Sequence, residues 1–290
     1  MEVFLLILSI TILLLLLFGY VMHHNNKKFN VTCYTVVDST IPEAFDEYKL
    51  VLLTDLHNYV YGKENCILLK AIEDQQPDGI MIAGDMLVKS DSLEYQLVFD
   101  LLTKLAASYP IYYANGNHEA KLEEQEETKQ AYRNLYENPL KELGVIFLKN
   151  NAIRLQKDSD SMVIYGLNLD DSFYQKFKKS PLDKEVLNQM LGKAGPEYSI
   201  LLAHNPVYFK EYVKWGAKLV LSGHVHGGLV NIPLLGGIMS TQGHLFPKYD
   251  AGMFEEEDAT LLLSRGLGNH TIHIRLFNRA ELVVATLKRY

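Results

Sequence analysis

Seven candidate metal ligands stand in five short polar clusters of this chain. They are Asp55 and His57 in Asp55-Leu56-His57, Asp85 in Gly84-Asp85, and Asn117 in Gly116-Asn117-His118-Glu119. His204 follows in Ala203-His204-Asn205-Pro206, then His224 and His226 in Gly223-His224-Val225-His226-Gly227-Gly228. Carboxylates, an amide and imidazoles without thiolate make a borderline-to-hard ligand set, suited to divalent ions such as Mn, Fe or Zn. Two such ions held ~3.5–4 Å apart can clamp both sides of an in-line displacement at phosphorus. A lone His is more often an ordinary surface or core residue, and a Gly-Asp pair alone says less still. The weight lies in all five clusters occurring in order, each in the same local context.

That context is an apolar, strand-like run before every cluster: KLVLLT, GIMIA, IYYAN, SILLA and KLVLS. Side chains just past the carboxyl ends of strands in an open α/β sheet converge on one crevice. The first three runs are separated by amphipathic stretches at 64–75 and 92–107, which predicts βαβ units of roughly 30 residues and a parallel sheet. Residues 31–37 read as a further strand. The charged stretch 120–143 reads as a solvated outer helix. From Val145 onward VIFL, NAIRLQ and SMVIYGLNL suggest an antiparallel second sheet. SILLA, a helix near 208–215 and KLVLS then restore alternation, and TLLLS, TIHIRL and ELVVATL close the chain as strands. Glycine beside Asp85 and around His224 and His226 lets the backbone approach closely, leaving the Asp85 carboxylate free to bridge two ions.

At 290 residues and 48% hydrophobic content the chain can bury a full core. Residues 3–22 form a nearly unbroken apolar run, long enough to cross a bilayer as a helix. A cleaved signal peptide would have a basic start, a shorter apolar core and a small-residue cleavage site, none of which is seen. The expectation is a transmembrane anchor with a short polar link over 1–29 and a catalytic domain over 30–290. Lys27 and Lys28 follow the run while Glu2 precedes it, so the positive-inside rule favours a cytoplasmic catalytic domain. Cys33 and Cys66 show no metal or redox spacing. A net charge of -7 without a basic stripe excludes a nucleic-acid surface.

The series D-x-H, G-D, G-N-H-E, a lone H and G-H-x-H resembles the calcineurin-like metallophosphoesterases. The resemblance implies a four-layer α/β/β/α sandwich of two facing mixed sheets. It implies two divalent metal ions, the first on Asp55, His57, Asp85 and His226, the second on Asp85, Asn117, His204 and His224. His118 would stand beside the substrate as the catalytic side chain, with water activated by the metals as nucleophile. GGLVNIPLLGG, Tyr249 with Gly252, LLLSRGLG and IRLFNRAEL are similar to the membrane-associated, YkuE-like bacterial branch, over about 45–290. Thr54 stands where Ser is common, and Met86-Leu87-Val88 where a polar residue is common; neither removes a ligand.

The resemblance implies hydrolysis of a phosphodiester or pyrophosphate bond, in a branch that includes enzymes acting on the lipid UDP-diacylglucosamine. A phosphomonoesterase on a soluble substrate and a non-catalytic metal-binding scaffold remain as alternatives. His23, His24, His244, His270 and His273 lie outside the pattern and read as surface or packing residues, with His244 the one candidate exception. Asp170 and Asp171 follow the apolar run VIYGLNL and read either as lining the crevice or, more simply, as a turn after a strand. The apolar segment 231–254 reads either as packing or as a lip for an acyl chain, involving Leu234, Leu235 and Phe246.

Overall fold

A computed structural model describes all residues except 90–93, 229–230, 233–235, 241, 244, 269–274 and 276–277, together with the side chains at 3, 15, 18, 21–26 and 232. The chain opens with helix α1 (Glu2–Asn26) and strand β1 (Phe29–Val37). Then come β2 (Lys49–Leu53), α2 (Cys66–Glu73), β3 (Gly79–Ala83), α3 (Gln96–Ala106) and β4 (Ile111–Ala114). Three short helices follow, α4 (Asn117–Glu124), α5 (Glu126–Tyr132) and α6 (Asn138–Glu142), before β5 (Ile146–Phe147). The second half runs β6 (Asn151–Lys157), β7 (Asp160–Leu167), α7 (Lys184–Leu191), β8 (Ser199–Ala203), α8 (Phe209–Trp215) and β9 (Leu219–Ser222). It ends with β10 (Asn231–Ile232), β11 (Gly236–Gly237), β12 (Gly252–Glu256), β13 (Ala259–Leu263) and β14 (Ala280–Lys288).

Two six-stranded mixed sheets result, ordered β1-β14-β2-β3-β4-β5 and β12-β13-β9-β8-β7-β6. The two-residue period of each strand sends alternate side chains to opposite faces, and three apolar clusters follow. Leu50, Leu52, Met81 and Tyr112 of the first sheet meet Ile164, Ile200, Leu202 and Leu221 of the second. Val51, Leu53, Ile80 and Ile82 face outward onto Leu68 and Ile72 of α2 and Val98, Leu101 and Leu105 of α3. Leu201, Val220 and Leu261 face outward onto Leu187 of α7 and Tyr212 of α8. Three apolar seams separate four layers, α/β/β/α. Full burial of each Leu or Ile contributes about 1.5–3 kcal/mol, so the central strands are the most firmly held part of the chain.

Three local expectations are corrected. VIFL belongs to the first sheet: β5 pairs parallel with β4 through Tyr112↔Ile146. The second sheet is antiparallel only at its edges, in the β6–β7 and β12–β13 hairpins. Its inner strands β7, β8, β9 and β13 run parallel, as strands buried on both faces do. The 120–143 stretch is three helical pieces rather than one solvated helix. Tyr132, Tyr136 and Leu140 turn inward onto Tyr113 and Phe147, outweighing its high surface charge. The expected strand TIHIRL falls outside the described residues apart from Arg275, and α7 and β12 were not anticipated.

The expected membrane span falls on α1, a 25-residue helix whose described apolar side chains, among them Phe4, Leu5, Leu16 and Tyr20, are exposed. Among the fully described residues no helix is long and apolar enough to cross a membrane. The side chains at 3, 15, 18 and 21–26 lie outside that set.

Candidate metal centre

All five clusters lie just beyond the carboxyl ends of parallel strands. In the first sheet β2, β3 and β4 end in register, Leu53 opposite Ile82 and Ala83 opposite Ala114. In the second, β8 and β9 end beside each other, Leu202 opposite Leu221. The sheets are tied together at this end. His204 Nδ1–H donates across to the Ala83 carbonyl at 2.6 Å, and the His224 N–H donates to Asp55 Oδ2 at 3.0 Å. Asp55, His57, Asp85, His224 and His226 all have left-handed backbone, with φ between 48° and 73°. Non-glycine residues in that region cost on the order of 1 kcal/mol or more each, and such strain gathers at functional sites. Close backbone approach needs glycine at Gly116, where a Cβ would sit inside the Asp85 carboxylate.

The side chains so positioned form three overlapping buried groups: Asp55 with His57 and His226, His57 with Asp85 and His118, and Asp85 with His204 and His224. Within each, one ligand atom per residue lies within 4.8 Å of the others. Asp55 Oδ1 is 3.2 Å from His226 Nε2 and 3.7 Å from His57 Nε2. Asp85 Oδ2 stands between the outer groups, 3.1 Å from His204 Nε2 and 3.9 Å from both His57 Nε2 and His118 Nε2. Asn117 opens α4, and its Oδ1 is buried without a hydrogen-bond donor. A buried, undonated amide oxygen costs about 1–3 kcal/mol unless something electropositive meets it. That orphan, and two carboxylates buried among imidazoles, fit a pair of divalent cations.

The electrostatics of the metal-free site agree. Burial alone would raise Asp55, but His226 and His204 beside it hold the carboxyl well below the usual range. Asp85 is held down against the same burial by His204 and His118. Burial would lower His204, yet Asp85 and Asp55 outweigh it and push the imidazole up to about 9. His224 is driven down to about 3, by burial and then by His204, and burial also lowers His57. Neutral imidazoles and ionised carboxylates are the forms that bind metal, so Asp55, Asp85, His57 and His224 already stand in the binding form, and His204 must lose a proton to join them. His118 differs in tautomer. The Lys89 backbone N–H donates to its Nδ1 at 2.8 Å, so Nδ1 is the acceptor and Nε2 carries the proton.

Several supporting residues had no role in the sequence reading. Glu119 is fully buried; its carboxylate accepts from the backbone N–H of Asp85 (2.8 Å), Gly116 (3.0 Å) and Leu87 (3.0 Å), and from the Tyr113 hydroxyl (3.1 Å). It holds the second and third clusters to each other, and the GNHE spelling is the signal that could have found it. Arg275, also buried, donates to the carbonyls of Gly266, Gly268 and Arg265, with Nη2 3.5 Å from His226 Nδ1. Asn278 donates to the carbonyls of His226 and Gly228, fixing the last cluster. The Tyr174 ring packs edge-on to His224 at 5.0 Å. Thr54 keeps a hydroxyl 2.9 Å from Asp55 Oδ2, so the Ser-to-Thr departure preserves the contact.

Asp170 caps a short 3-10 turn, accepting from the Ser172 N–H at 2.8 Å, and Asp171 pairs with Lys121. The turn reading describes both. His244, His270, His273, Leu234 and Leu235 lie outside the described residues, as do the side chains of His23 and His24.

The pattern of the calcineurin-like phosphoesterases matches residues 48–228, which contain every one of the five clusters. The chain is 26% identical over 275 residues to the uncharacterized metallophosphoesterase YkuE of Bacillus subtilis, covering 93% of this chain and 90% of that one. It is 26% identical over 246 residues to the phosphodiesterase YaeI of Escherichia coli, covering 83% and 82%. Among solved structures, phosphopantetheinyl hydrolase of Mycobacterium tuberculosis aligns with a TM-score of 0.47 at 13% identity, over 75% of this chain and 88% of that one. With that match on these clusters, the chain belongs to the calcineurin-like phosphoesterases, metal-dependent hydrolases of phosphoric esters.

Proposed function

We propose that this protein is a membrane-anchored, dinuclear-metal phosphoesterase that cleaves a phosphodiester or pyrophosphate bond in a lipid-linked substrate. The observation that supports the dinuclear centre most is the chain of three buried groups, linked through the shared side chains of His57 and Asp85. Asp55, His57, Asp85 and His226 would hold one ion; Asp85, Asn117, His204 and His224 would hold the other, with Asp85 shared. The bound pair supplies Lewis acidity toward the phosphoryl oxygens and lowers the pKa of water at the centre. His118 would direct its Nε2–H toward the departing oxygen, stabilising charge there and delivering a proton. The Ala83 carbonyl accepts from His204 Nδ1–H and so would hold the ring in the tautomer whose Nε2 can ligate a cation. Glu119 holds Asp85 and the start of α4 in fixed relation while charge moves at phosphorus.

The phosphodiester reading draws on the name of YaeI, and the anchored reading on the nearly unbroken apolar run of the sequence at 3–22. Lys27 and Lys28 after α1 support a cytoplasmic catalytic domain over 30–290. Bis-p-nitrophenyl phosphate tests the chemistry. Hydrolysis should require added divalent metal and vanish in Asp85→Ala, while full activity in metal-stripped protein rejects the mechanism. Comparing its rate with that on p-nitrophenyl phosphate separates diesterase from monoesterase action.

A further inference from the structure

The strand order places the anchor and the metal centre at the same edge of the molecule. β14 runs antiparallel to β2, with Val283 opposite Leu52, so its first residue, Ala280, lies level with Asp55. β1 runs parallel to β14 and starts with Phe29 opposite Ala280. The chain therefore leaves α1 two strand spacings, ~10 Å, from the line of Asp55. The Phe29 ring confirms the level by packing edge-on against Tyr61 at 4.7 Å, four residues past His57.

That edge also carries exposed apolar side chains on two loops. One follows the carboxyl end of β7 and presents Phe177 at 78% exposure, between exposed Lys176 and Lys178. The other follows β9 and folds back through the Met239↔Leu245 bridge, presenting Leu245 at 67% and Phe246 at 64% exposure. The loops are joined: the Phe177 N–H donates to the Gln242 carbonyl at 3.0 Å, and the Gln242 side chain donates to the Phe173 carbonyl at 3.2 Å. They border the metal centre through Tyr174 on His224 and the close approach of Gly228 to Gly237. Large apolar tips, Phe177 among them set between two lysines, beside the exit of an apolar helix, have the composition of a surface that settles into an anionic membrane interface.

We propose that the edge bearing the metal centre is also the bilayer-facing surface, with Phe177, Leu245 and Phe246 seated among anionic phospholipids. This rests on the anchored reading above and adds which face the anchor turns toward the lipid. It places the crevice at headgroup level, where the phosphate of a lipid lies.

The test uses the full chain in vesicles of phosphatidylglycerol and dibrominated phosphatidylcholine, which quench tryptophan on contact. Phe177→Trp and Phe246→Trp report the proposed surface. Leu143→Trp reports the far end, because Leu143 is exposed and precedes β5 at the opposite edge. Native Trp215, buried behind the second sheet, gives a constant background. Quenching severalfold greater at 177 and 246 than at 143, reduced by Lys176→Glu with Lys178→Glu, is the expected result. Equal quenching at all three positions overturns the proposal. Flotation of the chain reads the anchor, and bis-p-nitrophenyl phosphate hydrolysis reads the catalytic centre. A chain that fails to float overturns the docking along with the anchor, whether or not it hydrolyses the diester.

Discussion

Glu119→Gln removes one charge and almost no volume, and the geometry says what it costs. Oε2 accepts from two backbone donors, Asp85 N–H and Gly116 N–H; Oε1 accepts from Leu87 N–H and the Tyr113 hydroxyl. A glutamine must put its amide on one side, where it faces donors. On the Oε2 side it would orphan two fixed N–H groups. On the Oε1 side it orphans only Leu87, because the Tyr113 hydroxyl can rotate. The second arrangement wins, and one buried orphan costs about 1–3 kcal/mol, with some further loss of charge-assisted bonding to the other two. Taking ~2 kcal/mol, Tm should fall by about 4–8 °C for a domain of this size. Because the same bonds position Asp85, metal affinity should fall about 10–100-fold. Thermal melts of the metal-free variant and a metal titration followed by diester hydrolysis measure the two effects. A variant that keeps both its Tm and its metal affinity would show that Glu119 does not position the centre.

Loading the metals near pH 7 should expel about one proton, from His204, since it stands at about 9 while His57 and His224 are already neutral. Calorimetry in buffers of different ionisation enthalpy measures the release, which should fade above about pH 10; no release at neutral pH contradicts the assignment. Because the His204 pKa is raised above its unfolded value, its contribution to metal-free stability is full below about 6.5 and is lost as pH rises through about 9. Melts of metal-free protein across that window check the sign. His118→Asn should leave metal content intact and slow cleavage of an alkyl phosphoester by ~10²–10⁴, with a smaller loss for a p-nitrophenyl ester, whose leaving group needs no proton. Equal losses on both esters argue against proton delivery. Gly223→Ala should abolish metal binding in a folded chain, because the added Cβ would collide with the Thr54 hydroxyl and the Asp55 carboxylate; retained binding at wild-type affinity refutes the packing argument.

The gathering of the candidate ligands at one crevice could be read from sequence because each is a polar residue shortly after an apolar run, and strand ends in an α/β sheet converge. Asp55, Asp85 and His204 needed no long-range information to be placed at one crevice. Glu119 was visible only as a letter of its motif, since its importance lies in the three N–H groups it reaches. Arg275 and Asn278 lie 49 and 52 positions beyond His226, and local spacing has no way to link them. The misassignment of β5 has a similar cause. Two residues carry no periodicity, and only their pairing with β4 reveals their sheet. Tyr132 and Tyr136 were hidden among charges, whose solvated appearance said nothing about the face they leave dry.

The position of β14 also sets an order of events during synthesis. It lies between β1 and β2, and among the described residues β1 has no other neighbour in its sheet. Thr32 donates to Glu281 across 249 positions, so β1 emerges from the ribosome long before its partner exists. At ~5–20 residues per second that interval is on the order of ten to fifty seconds. Throughout it, the strand next to α1 has an open edge and Asp55 lacks the wall that β14 brings beside it. The crevice thus closes last, after the segment at 280–288 has threaded between two strands made at the outset. A nascent chain halted just before residue 280 would carry all seven candidate ligands and still have no finished centre in which to use them.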